Sequence, residues 1–328
     1  MRTDIFKAFE SLNILIVGDV MIDRYLRGSS TRISPEAPVP VVDLDTMEDR
    51  LGGAANVALN IKAMGATPYL FSVIGEDADA IEFIQLLKDA ELYSEGIISS
   101  KDRKTTVKTR VVVGSQQLLR IDSETRDDLD TLTEAKYLES IALFLENKKI
   151  DAMIFQDYNK GVLSEHGIGM IMSMTKKHGI PSAVDPKRKN FLAYRAATLF
   201  KPNLKEIRDV LPFKVIAEPE SLKAAARYLR TKIGNQYTMI TLSEKGLYIE
   251  DEHEGIIVPT QARNVSDVSG AGDTVISIAV LGLALGLDMR NIAILSNLGG
   301  GQVCQKPGVV PVDKEKLKSD FAGWVASA

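Results

Sequence analysis

Residues 13–19 read NILIVGD: five residues, Asn13–Val17, that are apolar but for the first, closed at once by Gly18 and Asp19. The run is too short for a helix, and a strand apolar on both faces belongs in a parallel sheet covered on both sides. Similar runs recur at Tyr69–Ile74, Ala152–Phe155, Ser182–Val184 and Met239–Leu242. Helical patterns separate them, at Gly53–Met64, Ile81–Asp89, Glu134–Leu145, Glu165–Lys177 and Ser221–Lys232. Strand and helix in alternation predict an α/β fold around a mainly parallel sheet. Two segments, Val39–Leu44 (VPVVDL) and Val107–Val113 (VKTRVVV), have β character but no convincing helix behind them. They are expected to pair as a small sheet off the main layer. One face of such a sheet needs a ligand or a second subunit to cover it, so it is expected to act as a lid.

Composition narrows the function classes. The 328 residues carry 40 Lys+Arg against 44 Asp+Glu, a formal net charge of −4. That balance gives no warrant for a nucleic-acid binder, which normally shows a basic face. A single cysteine, Cys304, excludes an intrachain disulfide and a Cys-rich zinc site. The longest nearly unbroken apolar stretch, Val275–Leu287, falls short of the roughly 20 residues that span a bilayer. Leu12–Val17 is too short for the core of a secretory leader. A cytoplasmic protein with no membrane partner is expected. His166, His178 and His253 are not spaced as a metal set and are expected at the surface or in loops.

Chemistry concentrates in glycine-rich turns. Asp267–Thr274, DVSGAGDT, leads into the apolar helix predicted at Val275–Leu287. Gly270 and Gly272, bracketing Ala271, allow a sharp backbone turn. The helix behind them presents unpaired N–H groups and a positive dipole end, which together make an anion site. Asp273 at the helix start serves either as a favourable terminal carboxylate or as a general base beside that anion site. In LGGAANVALNIKAM (Leu51–Met64), Gly52 and Gly53 precede a helix with Asn56 in its first turn. This is either a close-packing helix start or a place where a sugar approaches the backbone. In KPNLKE, Asn203 and Glu206 have the spacing of a capping box, and could equally reach a nucleotide phosphate and a hydrated magnesium ion. Asp157, Asp185 and Lys187 follow predicted strand ends, where ligands of parallel sheets bind. There is no GxxxxGK[ST], GxSxG or HExxH. The first strand is followed by GDVMID rather than GxGxxG, which speaks against a dinucleotide-dependent oxidoreductase.

Taken together, GGAANVA (Gly52–Ala58) and Asp267–Thr274 resemble, in order, the two signatures of the ribokinase-like (PfkB) sugar kinases. The resemblance runs over essentially the whole chain. GDVMIDRY (Gly18–Tyr25), TRISPEAPVPVV (Thr31–Val42), QQLLRID (Gln116–Asp122), DPK and KPNLKE are similar to the subgroup acting on D-glycero-β-D-manno-heptose 7-phosphate in lipopolysaccharide core biosynthesis. The resemblance implies a three-layer α/β kinase domain over residues 1–328. Its β lid would lie near residues 24–50 and 104–122 and serve as a homodimer contact. It implies phosphoryl transfer from ATP with Mg²⁺, and a monovalent cation as a further candidate, to the anomeric hydroxyl. Carried across, Asp273 is the base, and Gly270, Ala271 and Gly272 are the anion hole. Asp23, Gly52, Gly53 and Asn56 contact the sugar. Asn203, Leu204, Lys205, Glu206, Ser243, Gly246 and Asn297 face the nucleotide, and Glu206 reaches Mg²⁺ through water. Lys187, with Lys108 and Arg110 on one face of a lid strand, is the candidate for the substrate's own phosphate, with Asp157 and Asp185 nearby. The chain departs from the family at Ser269, where Thr is usual, at Lys201, where a small or hydroxyl residue is common, and in the glycine-rich LSNLGGG. No HxGH follows, so a kinase without a fused nucleotidyltransferase is expected. Competing expectations are another sugar or nucleoside kinase of the family, of ribokinase or phosphofructokinase type, and a regulator that binds without catalysis.

Overall fold

The computed structural model describes residues 5–261 and 265–327. After a short helix α1 (Ile5–Ala8), the chain runs β1 (Asn13–Gly18), β2 (Val20–Ile33), β3 (Pro40–Gly53), α2 (Ala54–Ala63), β4 (Thr67–Gly75), α3 (Ala78–Asp89) and β5 (Ile97–Ser100). It continues β6 (Val107–Val113), β7 (Gln116–Ser123), α4 (Thr131–Asn147), β8 (Ala152–Gln156), α5 (Glu165–Lys177), β9 (Ser182–Asp185) and β10 (Leu199–Phe200). The last part is α6 (Leu204–Val210), α7 (Pro219–Ile233), β11 (Tyr237–Thr241), β12 (Leu247–Glu250), β13 (Gly255–Val258), α8 (Ala271–Ala284), α9 (Met289–Val303) and α10 (Lys314–Ser327).

Nine strands form the main sheet in the order β13-β12-β11-β10-β9-β8-β1-β4-β5. Pairing is parallel from β5 to β11 and antiparallel only at β12 and β13. Successive side chains of a strand point to opposite faces, and β1 divides accordingly. Ile14 and Ile16 join a core with α2, α3, α8, α9 and α10, while Leu15 and Val17 join a second core with α4, α5, α6 and α7. The sheet therefore lies between two helical layers, a ribokinase-like α/β arrangement, and its strand ends carry the site.

The second sheet has four strands in the order β3-β2-β6-β7. Contrary to the expectation from the sequence, Val39–Leu44 and Val107–Val113 do not pair with each other, although both belong to this sheet. The 14-residue strand β2 lies between β3 and β6. Register sorts this sheet into two chemistries. One row across it reads Glu48, Tyr25, Arg110, Arg120, and the adjacent row reads Met47, Leu26, Val111, Leu119. Neighbouring rows face opposite ways, so one face is ionic and the other apolar.

Candidate active site

Helix α8 begins directly after Gly270, whose φ of 78° lies in the left-handed region that glycine occupies without penalty. A Cβ there would stand 2.9 Å from Asn56 Nδ2. The turn thus brings α2 and α8 together, and Asp273, in the first turn of α8, is buried at 4% exposure. Its Oδ1 accepts hydrogen bonds from Tyr158 OH at 2.7 Å and Gln156 Nε2 at 2.9 Å, and its Oδ2 from Asn56 Nδ2 at 2.8 Å. Burial pushes the Asp273 carboxyl up to about 6, and the bonds from Tyr158 and Asn56 oppose the rise. A carboxylate with that affinity is ionised at neutral pH yet able to take a proton.

Beside Asp273 opens a cavity of about 620 Å³. Gly270, Ala271 and Gly272 form one wall, and Ser243, Gly246 and Asn297 line it with Asn203, Leu204 and Lys205. Asn297 Nδ2 donates to the Pro259 carbonyl at 3.0 Å. The cavity also receives two ammonium groups, from the buried Lys201 and the half-buried Lys187. Lys201 Nζ is 3.0 Å from Asp185 Oδ2, and Lys187 Nζ lies 2.5 Å from Glu206 Oε1 and 3.6 Å from Asp185 Oδ1. Burial would raise the Asp185 carboxyl, but Lys187 and Lys201 hold it below the ordinary range.

Over the other side of Asp273 lies the ionic face of the small sheet. Asp23 Oδ2 sits where a Cβ on Gly52 would fall, at 2.2 Å, so Gly52 allows the carboxylate its place. Gly53, at φ 60°, carries the chain into α2. Arg110 Nη1 reaches Asp23 Oδ1 at 2.6 Å. The guanidiniums of Arg27, Arg50 and Arg110 each stand 5.3–5.4 Å from the centre of the Tyr25 ring. The Tyr25 hydroxyl is buried without a hydrogen-bond partner among the described residues. Arg50 donates to the Val309 carbonyl at 3.1 Å, and Val309 in turn touches the position of a Gly270 Cβ.

Comparison with known proteins decides what this geometry belongs to. The pfkB family carbohydrate kinase pattern matches residues 11–316. The chain belongs to that family. It is an ATP-dependent carbohydrate kinase by class. It is 40% identical over 314 residues to the "Bifunctional protein HldE" of Syntrophotalea carbinolica, and 39% identical over 318 residues to that of Methylobacillus flagellatus. The alignments cover 95% and 96% of this chain and 64% of each relative, so the chain spans about two thirds of their length or slightly less. Among solved structures, the Escherichia coli phosphofructokinase-2 in complex with potassium superposes with a TM-score of 0.80 at 18% identity, covering 96% of this chain and 99% of that one. Arabidopsis thaliana ribokinase complexed with ribose and ATP superposes at 0.74 with 16% identity, covering 94% and 98%. At such identity these two speak for the fold alone.

Against this kinase frame several sequence expectations shift. Lys187 does not join Lys108 and Arg110; it lines the cavity with Asn203 and Gly246. Lys108 is already satisfied by Asp122 at 3.1 Å and Glu124 at 3.3 Å, which leaves Arg110 as the cation that meets Asp23. Asp157 is turned inward, 1% exposed, and held by the Tyr194 hydroxyl and the Asn159 amide. Burial and the nearby Asp19 push its carboxyl up to about 7. Glu206 closes the capping box with Asn203 and lies behind Lys187 rather than on the cavity wall. Sequence reasoning passed over Tyr158, Gln156, Arg27 and Arg50, and noted Lys201 only as a departure. The strand-end rule that picked out Asp157 reaches Gln156, Tyr158 and Lys201 as well. The histidines are at the surface, but His166 is in a helix, α5, with Glu134 as partner. Among the described residues no helix is long and apolar enough to cross a membrane.

Proposed function

We propose that this kinase transfers the γ-phosphoryl group of ATP to the anomeric hydroxyl of D-glycero-β-D-manno-heptose 7-phosphate, giving the 1,7-bisphosphate. The observation that carries the choice of a phosphorylated acceptor is the ring of Arg27, Arg50 and Arg110 about Tyr25. Three like charges converge on one side chain with a bare buried hydroxyl, and Arg27 has no ion pair among the described residues. A dianionic phosphate resolves both conditions, since guanidinium forks match its oxygens. Arg110 and Arg50 already pair with Asp23 and Glu48, so it is the charge of Arg27 that an unphosphorylated sugar leaves uncompensated. The heptose itself rests on the subgroup strings, above all TRISPEAPVPVV and QQLLRID.

In this scheme Asp273 removes the proton of the anomeric hydroxyl as that oxygen bonds to the γ-phosphorus. The bond to the β-phosphate oxygen breaks and ADP leaves. The amides of Gly270–Asp273 at the start of α8 face the charge on the moving group. Lys187 and Lys201 belong with the nucleotide phosphates, and Ser243, Gly246 and Asn297 with the nucleoside. Asp23 and Asn56 accept and donate at the sugar hydroxyls. The donor set fits magnesium only as a hydrated ion carried by the phosphates, because the carboxylates beside Lys187 and Lys201 are already engaged, Asp185 by both ammonium groups and Glu206 by Lys187 and its own cap. Magnesium would supply charge neutralisation there. The four-stranded sheet serves as the lid that excludes water, within one kinase domain spanning residues 1–328, and its apolar face pairs with a second copy.

A coupled ADP-release assay with a panel of acceptors tests the proposal. Heptose 7-phosphate is expected to exceed unphosphorylated heptose, ribose and fructose 6-phosphate in kcat/KM. Equal use of the unphosphorylated heptose would overturn the acceptor while leaving the kinase class intact. Replacing potassium in the same assay tests the monovalent cation.

A further inference from the structure

The two oxygens of the Asp273 carboxylate are treated unequally. Oδ1 accepts two hydrogen bonds, from Tyr158 OH and Gln156 Nε2, and Oδ2 accepts one, from Asn56 Nδ2. Each carboxylate oxygen offers about two in-plane acceptor positions. Among the described residues, Oδ1 is therefore filled and Oδ2 keeps one position open. We infer that Tyr158 and Gln156 are positioning residues that close Oδ1, so that the open position of Oδ2 is the one that receives the proton of the sugar hydroxyl. This rests on the proposal that Asp273 is the base.

The surroundings of both residues are built for that task. The main chain carrying Tyr158 is gathered by one buried carboxylate: Asp19 accepts the amides of Tyr158 at 2.8 Å, Lys160 at 3.1 Å and Val162 at 3.1 Å. Asn159, next along, is held at φ 53°, in the left-handed region that non-glycine residues rarely occupy. A loop cinched this tightly fixes the hydroxyl rather than letting it wander. Burial and the facing Asp273 and Asp185 push the Tyr158 phenol upward, so it stays protonated and remains a donor. Gln156 shows the same priority by what it gives up. Its Nε2 faces Asp273 Oδ1 and, at 3.4 Å, Asp185 Oδ2, while its Oε1 is buried with no partner among the described residues. Turning the amide over would aim its carbonyl oxygen at two carboxylates. A bare buried acceptor is unusual in a folded protein, and here it is the consequence of keeping the donor on the base.

The groups that face Asp273 come from four places: Asn56 on α2, Gln156 at the end of β8 with Tyr158 beyond it, Asp185 at the end of β9 with Lys187 beyond it, and Lys201 after β10. Asp23 on β2 faces Tyr158. All of them stay in place in a Tyr158→Phe variant, which removes one donor to the carboxylate and keeps the ring.

The test is the pH dependence of kcat/KM, measured on whichever acceptor of the panel is used best. Wild type, Tyr158→Phe, Gln156→Met and Asp273→Asn are compared, and the Met variant carries the same expectation should the Phe variant fold poorly. Loss of a hydrogen bond to the ionised form raises a pKa. The acid limb of both variants is thus expected to move to higher pH by about one unit. Turnover on the plateau should fall about 10- to 100-fold from lost alignment, with the KM for ATP within twofold of wild type. If Asp273→Asn is inactive but both variants keep the wild-type acid limb, the base stands and the positioning role is overturned. If Asp273→Asn turns over normally, the base itself is wrong and the inference falls with it.

Discussion

At the scale of single residues, burial and hydrogen bonding pull Asp273 in opposite directions, and the balance sets its working range. Desolvation disfavours the charged carboxylate, while Tyr158 and Asn56 favour it, and the outcome is a carboxyl near pH 6. A general base works only when deprotonated, so kcat/KM should be flat above that point and fall as pH drops through about 6. Asp273→Asn keeps the size but has no proton acceptor. Turnover is expected to drop by about 10²–10⁴-fold with ATP binding retained by calorimetry. Near-normal turnover would falsify the assignment. Gly270 is the second sensitive residue. An alanine there meets both a positive φ and Asn56 Nδ2 at 2.9 Å. Gly270→Ala should cost about 1–2 kcal/mol in urea unfolding from the backbone alone. It should also lower kcat more than it raises the KM for ATP, because the displaced Asn56 is a partner of the base.

Elements decide which of two roles a residue plays, and α6 is the case where both are present. The Asn203 side chain accepts the Glu206 amide at 2.8 Å, and the Glu206 side chain accepts the Asn203 amide at 2.8 Å, a complete capping box on a seven-residue helix. Asn203 also lines the cavity. Asn203→Ala is expected to lose about 1 kcal/mol of stability as a cap and to raise the KM for ATP several-fold. Asn203→Ser, which can still cap, should recover the melting temperature and only part of the KM. Recovery of both would make Asn203 a cap alone. Elements also explain what could be read in advance. Five of the seven parallel strands were legible as short apolar runs, while β5, half serine, and the two-residue β10 were not, and the helix after Gly270 was legible because two glycines and a carboxylate precede thirteen nearly apolar residues. Strand β2 was not, since Arg24, Arg27, Gly28 and Ser29 give it no period. It is held as a strand by the ladders on either side and by Arg24 with Asp49 and Asp79. Alternation correctly put Lys108 and Arg110 on one face, yet could not tell that Asp122, opposite on β7, and Glu124 just beyond it would satisfy one and leave the other to Asp23. Tyr158 stands next to Asp157, which the strand-end rule picked out, but its reach to Asp273 depends on a loop folded around Asp19, which is distant in sequence.

For the whole molecule, the exposed face of the small sheet is the feature least suited to a lone chain. The row Met47, Leu26, Val111, Leu119 crosses all four strands, and Met47 and Leu119 are 62% and 49% exposed, with Ile121 beside them at 54%. The opposite face is committed to charge: Arg27, Arg50 and Arg110 about Tyr25, with Asp23 and Glu48 among them. The sheet therefore cannot turn over to hide its apolar side without burying those ions unpaired, which costs several kcal/mol for each. A contiguous apolar patch on a sheet extending from the main layer is a surface for association. A second copy presenting the same row would cover it symmetrically, because a two-fold contact pairs a patch with itself. Covering a side chain such as Leu or Met is worth about 1.5–3 kcal/mol when complete, so a few pairs across the axis are enough to hold a dimer at micromolar concentration. Light scattering at about 10 µM should therefore give twice the chain mass. Leu119→Glu with Met47→Glu should give the single-chain mass while ATP binding, proposed for the main-sheet cavity, stays within twofold. A monomeric wild type at that concentration, or a double variant that remains dimeric, would remove the small sheet as the contact.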